Sequence, residues 1–127
     1  MLEMEFHRVM PVLKVTDFET ALRFYQEVLG FVVQWRFEDD GGQTAALELG
    51  ETTIMLSTGE HLGVGKPVFT GTLYVDMTGV REFWERVNNR APTVWPLEEM
   101  DYGTLEFGIR DPDGYVLAFS EPQPGER

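Results

Sequence analysis

Two segments of helical periodicity, each preceded by one strand-like run and followed by three, divide this 127-residue chain into an internal β-α-β-β-β repeat. The first helical segment is Thr16–Gly30, where Phe18, Ala21, Leu22, Tyr25, Val28 and Leu29 recur on one face. Thr16 with Glu19 reads as a capping box, and Gly30 as the C-terminal stop. The second runs from about Thr78 to Asn88, with Val80, Phe83, Trp84 and Val87 on one face. Strands are expected at Met10–Val15, Phe31–Phe37, Thr44–Leu49 and Thr52–Ser57 in the first half. In the second half they are expected at Phe69–Val75, Thr93–Leu97, Thr104–Ile109 and Tyr115–Ser120, with the turn Asp111–Gly114 between the last two. Leu13 and Val15 then match Leu73 and Val75, while Phe24, Tyr25 and Val28 match Phe83, Trp84 and Val87.

One such half leaves a face of its sheet bare, so the two halves are expected to pair. The expected class is α+β: two tandem βαβββ modules, about 6–58 and 68–121, forming a curved mixed sheet with an open cleft. A single domain spanning 1–127 accommodates both. Glu60–Pro67 reads as the linker between modules, and Pro122–Arg127 as a frayed tail.

Composition narrows the function classes. A net charge of −12 repels phosphate, which disfavours nucleic acid and anionic membrane as partners. It favours cationic ligands wherever the acids line a cleft. No apolar run approaches the roughly 18 residues needed to span a bilayer. Glu3 and Glu5 break any signal-peptide pattern at the start. There is no cysteine, hence no disulfide, thiolate ligand or thiol nucleophile. The expected address is cytoplasmic.

Alternation along the strands sorts their side chains into two faces. One is uniformly apolar: Leu13 and Val15, Leu47 and Leu49, Ile54 and Leu56, with Leu105, Phe107, Ile109, Leu117 and Phe119 in the second half. That face must meet the helices. The other is mixed and suits the lining of a cleft that admits a part-polar ligand; it carries Met10, Glu48, Met55, Thr70, Tyr74, Glu106 and Ala118.

The stretches Pro11–Gly30 and Tyr102–Phe119, the latter holding the turn R-D-P-D-G, resemble the glyoxalase/bleomycin-resistance/dioxygenase (vicinal oxygen chelate) superfamily. The second stretch is most similar to the metal-free, bleomycin-resistance-like branch. In metal-dependent members the resemblance implies four His, Gln or Glu ligands, one on the first and one on the last strand of each half. Those positions here are Met10, Thr70, Ala118 and its repeat mate Met55, and none suits a hard or borderline divalent ion. No metal and no other cofactor are therefore expected. His7 points to the opposite face of a regular strand, and His61 falls in the linker.

Glu48 and Glu106 read as matching carboxylates, either cleft-facing groups that bind a cation or act as a base, or solvated edge residues. Glu98, Glu99 and Asp101 form an acidic loop beside Trp95 and Tyr102. That mixture suits a cationic, partly aromatic ligand, while Trp95 in the core is the competing reading. Trp35 and Phe37 line the same cleft or a subunit interface, and Trp84 belongs to the core.

No catalytic set is completed around these groups. The reading is a non-enzymatic protein that binds and sequesters a small molecule, with Met10, Trp35, Glu48, Met55, Thr70, Tyr74, Trp95, Glu99, Tyr102, Glu106 and Ala118 as candidate contacts. The resemblance implies a homodimer. Two alternatives stand beside it: a glyoxalase-like lyase, isomerase or dioxygenase with a displaced or absent metal, and a ligand-free structural or regulatory dimer.

Overall fold

Asp17, not Thr16, caps the first helix: its carboxylate accepts the Thr20 N–H at 3.0 Å. The expected capping box does not form, because the Thr16 N–H donates instead to Asp113 Oδ1 in the second module (3.0 Å), and Glu19 pairs with Arg36. The structure, a computed structural model, describes residues 4, 5, 7–59, 65–69 and 71–124. The first module runs β1 (Val12–Lys14), α1 (Phe18–Arg23), a π-helical continuation (Phe24–Leu29), β2 (Val32–Asp39), β3 (Gly42–Leu49) and β4 (Thr52–Ser57). Gly30 closes the wide last turn in the left-handed region (φ 90°), and the Phe31 N–H reaches back to the Tyr25 carbonyl at 2.8 Å. The second module repeats the order as β5 (Thr72–Asp76), α2 (Val80–Val87), β6 (Thr93–Glu99), β7 (Thr104–Arg110) and β8 (Val116–Pro122). Among the described residues, no helix is long and apolar enough to cross a membrane.

The α+β class and the tandem βαβββ order stand as the sequence indicates. The strands form two four-stranded sheets, β1-β4-β3-β2 and β5-β8-β7-β6, rather than one continuous sheet. In each, the first and last strands of the module pair in parallel and the remaining pairs are antiparallel.

The apolar strand face meets the helices, as alternation requires. Leu13, Val15, Leu47, Ile54, Leu56, Phe107, Ile109, Leu117 and Phe119 join Phe18, Tyr25, Val80, Phe83 and Val87 in one core that draws on both modules. Trp84 packs at its margin on Phe107, with ring centroids 5.0 Å apart. The turn between β7 and β8 locks the modules together. Asp111 is buried and accepts the Tyr25 hydroxyl at 2.7 Å, and the Tyr115 hydroxyl donates to the Lys14 carbonyl at 2.7 Å.

Strand register corrects the internal alignment. Val12 lies beside Met55, Met55 beside Ala46, and Ala46 beside Trp35. The corresponding row in the second module is Tyr74, Ala118, Gly108 and Trp95. Val12 is therefore the mate of Tyr74, so Leu13 and Val15 match Val75 and Met77, not Leu73 and Val75. The helices shift in step: buried Phe18, Ala21 and Tyr25 match Val80, Phe83 and Val87. The error came from aligning similar letters, whereas burial fixes the register through the 3.6-residue period.

The tail is also more ordered than expected at its start. Pro122 ends β8, and the Gln123 N–H donates to the Gly103 carbonyl at 2.9 Å.

Candidate functional site

On the face turned away from the helices, the second module sets two rows of side chains next to each other. The first is Tyr74–Ala118–Gly108–Trp95, and the second is Asp76–Ser120–Glu106–Glu98. An aromatic row with a small-residue floor thus borders a row holding three carboxylates. The mates of the second row in the first module are Lys14, Ser57, Thr44 and Phe37, so the acidity belongs to one module alone.

Glu106 is the centre of this face. It is only 1% exposed, and its carboxylate accepts the Tyr74 hydroxyl at 3.1 Å and the Thr104 hydroxyl at 2.9 Å. It has no ion pair among the described residues. Desolvation, then the neighbouring Tyr74 and Glu106 side chains, push the ionisation of the Tyr102 hydroxyl well above the ordinary tyrosine range, so it stays neutral.

Trp95 lies against the backbone of Gly108, where a Cβ would stand 2.8 Å from its ring atoms. Only glycine permits that approach. The indole Nε1–H of Trp95 is buried and has no hydrogen-bond partner among the described residues. Such an orphan donor is uncommon in a folded protein.

Of the candidate contacts, Tyr74, Trp95, Tyr102, Glu106 and Ala118 come together here. Met10, Trp35 and Met55 belong to the first module, where Trp35 (47% exposed) is the mate of Trp95. Glu99 is exposed at the end of β6, opposite Leu105.

Three expectations need correcting. Glu48 is not the mate of Glu106: it pairs with Thr53 and Val32, and its register partner in the second module is Arg110, while Glu106 corresponds to Thr44. Glu98 and Glu99 are strand residues of β6, not loop residues. Trp95 is not part of the helix-side core. Asp76, Thr104 and Gly108 were missed. The available signal was the pair of tryptophans sixty positions apart on the second strand of each half, which aligns the modules correctly.

Thr70 and His61 lie outside the described residues. Register places the mate of Met10 at Thr72, since both stand two residues before the paired Val12 and Tyr74. His7 is exposed and outside any strand, 3.8 Å from Glu5. The donors at Met10, Met55 and Ala118 are two thioethers and a methyl group, which do not fit the superfamily's divalent metal. Among the described residues, no group of three or more His, Asp or Glu is placed to hold a metal ion.

Solved structures of similar fold include TnmS3, an antibiotic-binding protein from Streptomyces sp. CB03234, at 22% identity, TM-score 0.79, covering 95% of this chain and 100% of that one. TioX from Micromonospora sp. ML1 is similar at 24% identity and TM-score 0.76, over 92% and 99% of the two chains. The bleomycin-binding protein of Streptomyces verticillus, solved with copper(II)-bleomycin, is similar at 20% identity and TM-score 0.70, over 95% and 100%. No curated protein sequence matches the chain. The family model described as "Glyoxalase superfamily protein" matches residues 1–126, and with the tandem βαβββ fold it makes this chain a member of the glyoxalase superfamily.

Proposed function

We propose that this protein binds and sequesters a cationic, partly aromatic small molecule on the open face of the second module, without chemical turnover. The observation that carries the reading is Glu106: a carboxylate 1% exposed, hydrogen-bonded to Tyr74 and Thr104, with no ion pair among the described residues. A buried charge without a counter-charge is costly, so a cationic ligand supplies what the fold lacks. Tyr74, Tyr102 and Trp95 offer ring faces to the cation, and the Tyr74 hydroxyl, by donating to the Glu106 carboxylate, makes its own ring more electron-rich. The antibiotic-binding proteins of similar fold support a binding role of this kind.

A second copy completes the cleft in this proposal. Val12, Val32, Trp35, Phe37, Tyr74 and Tyr102 are all more than one-third exposed and carried by the open faces or their edges. Such a concentration of bare apolar surface marks an interaction site.

Titration with bleomycin and with proflavine, a planar aromatic cation, followed by calorimetry, tests the reading. Binding should weaken at least tenfold in Glu106→Gln, about 1.4 kcal/mol. Equal affinity in that variant, or no binding of either probe up to 1 mM (an upper bound of about −4 kcal/mol), would overturn it. Stoichiometric metal in the purified protein, linked to a turnover, would replace it with the enzymatic alternative.

A further inference from the structure

A cavity of about 550 Å³ opens at the seam between the modules, away from the open face, and its size lies within the range of small-molecule sites, about 300–1,000 Å³. The β3–β4 turn supplies Leu49, Glu51 and Thr52 from the first module. The second module supplies Val75 and Asp76 from β5, Phe83 and Arg86 from α2, and Phe119 from β8. The floor is therefore aliphatic and aromatic, while the rim carries both signs of charge.

Those charges do not satisfy one another. Among the described residues, Arg86 forms no ion pair within 4.0 Å, and neither does Glu51, while the Asp76 side chain belongs to the open face beside Ser120. Arg86 instead holds its guanidinium 5.1 Å from the centre of the Phe83 ring. Its side chain is thereby steadied over an apolar surface with its N–H donors unspent. In a chain of net charge −12, an arginine that lines one cavity with Glu51 yet is not paired with it is a recognition arrangement that awaits two opposite charges at once.

We propose that this seam binds a zwitterionic apolar α-amino acid. The carboxylate meets Arg86, the ammonium meets Glu51, and the apolar side chain fills the space over Leu49, Phe83 and Phe119. An anion alone would face the Glu51 carboxylate, and a cation alone would face the arginine. Only a ligand with both charges a few ångströms apart answers the whole rim. Because the lining comes from both modules, occupancy ties them together and raises the stability of the whole chain.

The test uses L-phenylalanine, L-phenylalaninamide (no carboxylate) and N-acetyl-L-phenylalanine (no ammonium) on the full chain, read by calorimetry and by amide shifts of Gly50, Thr52 and Thr78. The amino acid is expected to bind, and at ten times its Kd to raise Tm by about 2–5 °C. Both derivatives should bind at least tenfold more weakly. Arg86→Gln and Glu51→Gln should each lower affinity at least tenfold, and Leu49→Trp, which fills the floor, should abolish binding. Glu106→Gln should leave it unchanged, which separates this site from the open-face reading. Equal binding of all three compounds, loss in Glu106→Gln but not in Arg86→Gln, or no binding up to 10 mM each overturns the proposal.

Discussion

Single atoms decide several properties of this fold. At Gly108, an added Cβ would stand 2.8 Å from three atoms of the Trp95 ring. Gly108→Ala should therefore lift the indole off the sheet, at a cost of about 1–3 kcal/mol from overpacking. Chemical denaturation gives the loss, and a red shift of Trp95 emission, read in a background lacking Trp35 and Trp84, shows that the ring has moved. Asp111 is a second such position. Burial pushes its carboxyl above the ordinary carboxylate range, against the pull of hydrogen bonds from Tyr25, Tyr115 and Asp113. Tyr25→Phe removes one of those donors and should cost about 1–3 kcal/mol by leaving a buried carboxylate short of a partner. The sign with pH follows from the raised ionisation. The stabilising term is complete below the unfolded value near about 4 and is lost as pH rises through the higher folded value. Wild type should thus lose stability relative to Asp111→Asn as pH rises from below the unfolded value of about 4, read as the difference in Tm. A difference that grows in the opposite direction would contradict the assignment.

At the level of elements, both helices begin with a carboxylate, but one comes from a neighbour in sequence and one from across the fold. Asp17 caps α1 locally, and the Thr20 N–H holds its carboxyl below the usual range. Its contribution is therefore present above about pH 4 and lost as pH falls through the lowered value, the reverse of Asp111. Comparing Asp17→Ala with wild type across that interval should show the gap narrowing toward acid. In α2 the capping position is Gly79, which has no side chain and sits at φ 88°. Glu121, forty-two residues away on β8, accepts the Gly79 and Val80 N–H groups at 2.9 and 3.0 Å. Glu121→Ala should cost about 0.5–2 kcal/mol, measured by urea unfolding, a loss comparable with that of a local cap. A cap supplied from another strand leaves no trace in the local sequence, whereas S/T/D before an apolar period does. That is why the start of α1 was readable to within a residue and the cap of α2 was not.

Over the whole molecule, the two modules share one core and are fastened by the Asp111–Tyr115 turn. The R-D-P-D-G motif that points to the superfamily is, in this chain, a clasp: Asp111 takes the Tyr25 hydroxyl and Asp113 the Thr16 N–H. Unfolding should accordingly be a single transition, with calorimetric and van't Hoff enthalpies in agreement. The open faces leave Trp35 47% and Phe37 58% exposed. If a second copy covers them, replacing both with Glu should give a monomer by light scattering while the far-ultraviolet spectrum stays unchanged. A wild-type monomer at micromolar concentration would remove the dimer from the functional proposal.

What the sequence determined by itself is the fold and the division of each strand into two faces. Periodicities of 2 and 3.6 are local, and burial of the apolar set follows from them without knowledge of partners. Glu106 and Tyr74 were accordingly placed on the correct face from alternation alone, whereas Trp95 stayed between the cleft and the core. Tertiary structure alone decided how the faces line up. Pairing register, shifted by bulges in β2 and β6, joined Glu106 to Glu98 and Asp76 and separated it from Glu48. Register depends on contacts between strands distant in the chain, and a slip of two residues preserves every local pattern while changing every neighbour. The seam cavity belongs to the same class of fact, since its apolar floor and unpaired charges exist only where the two modules meet.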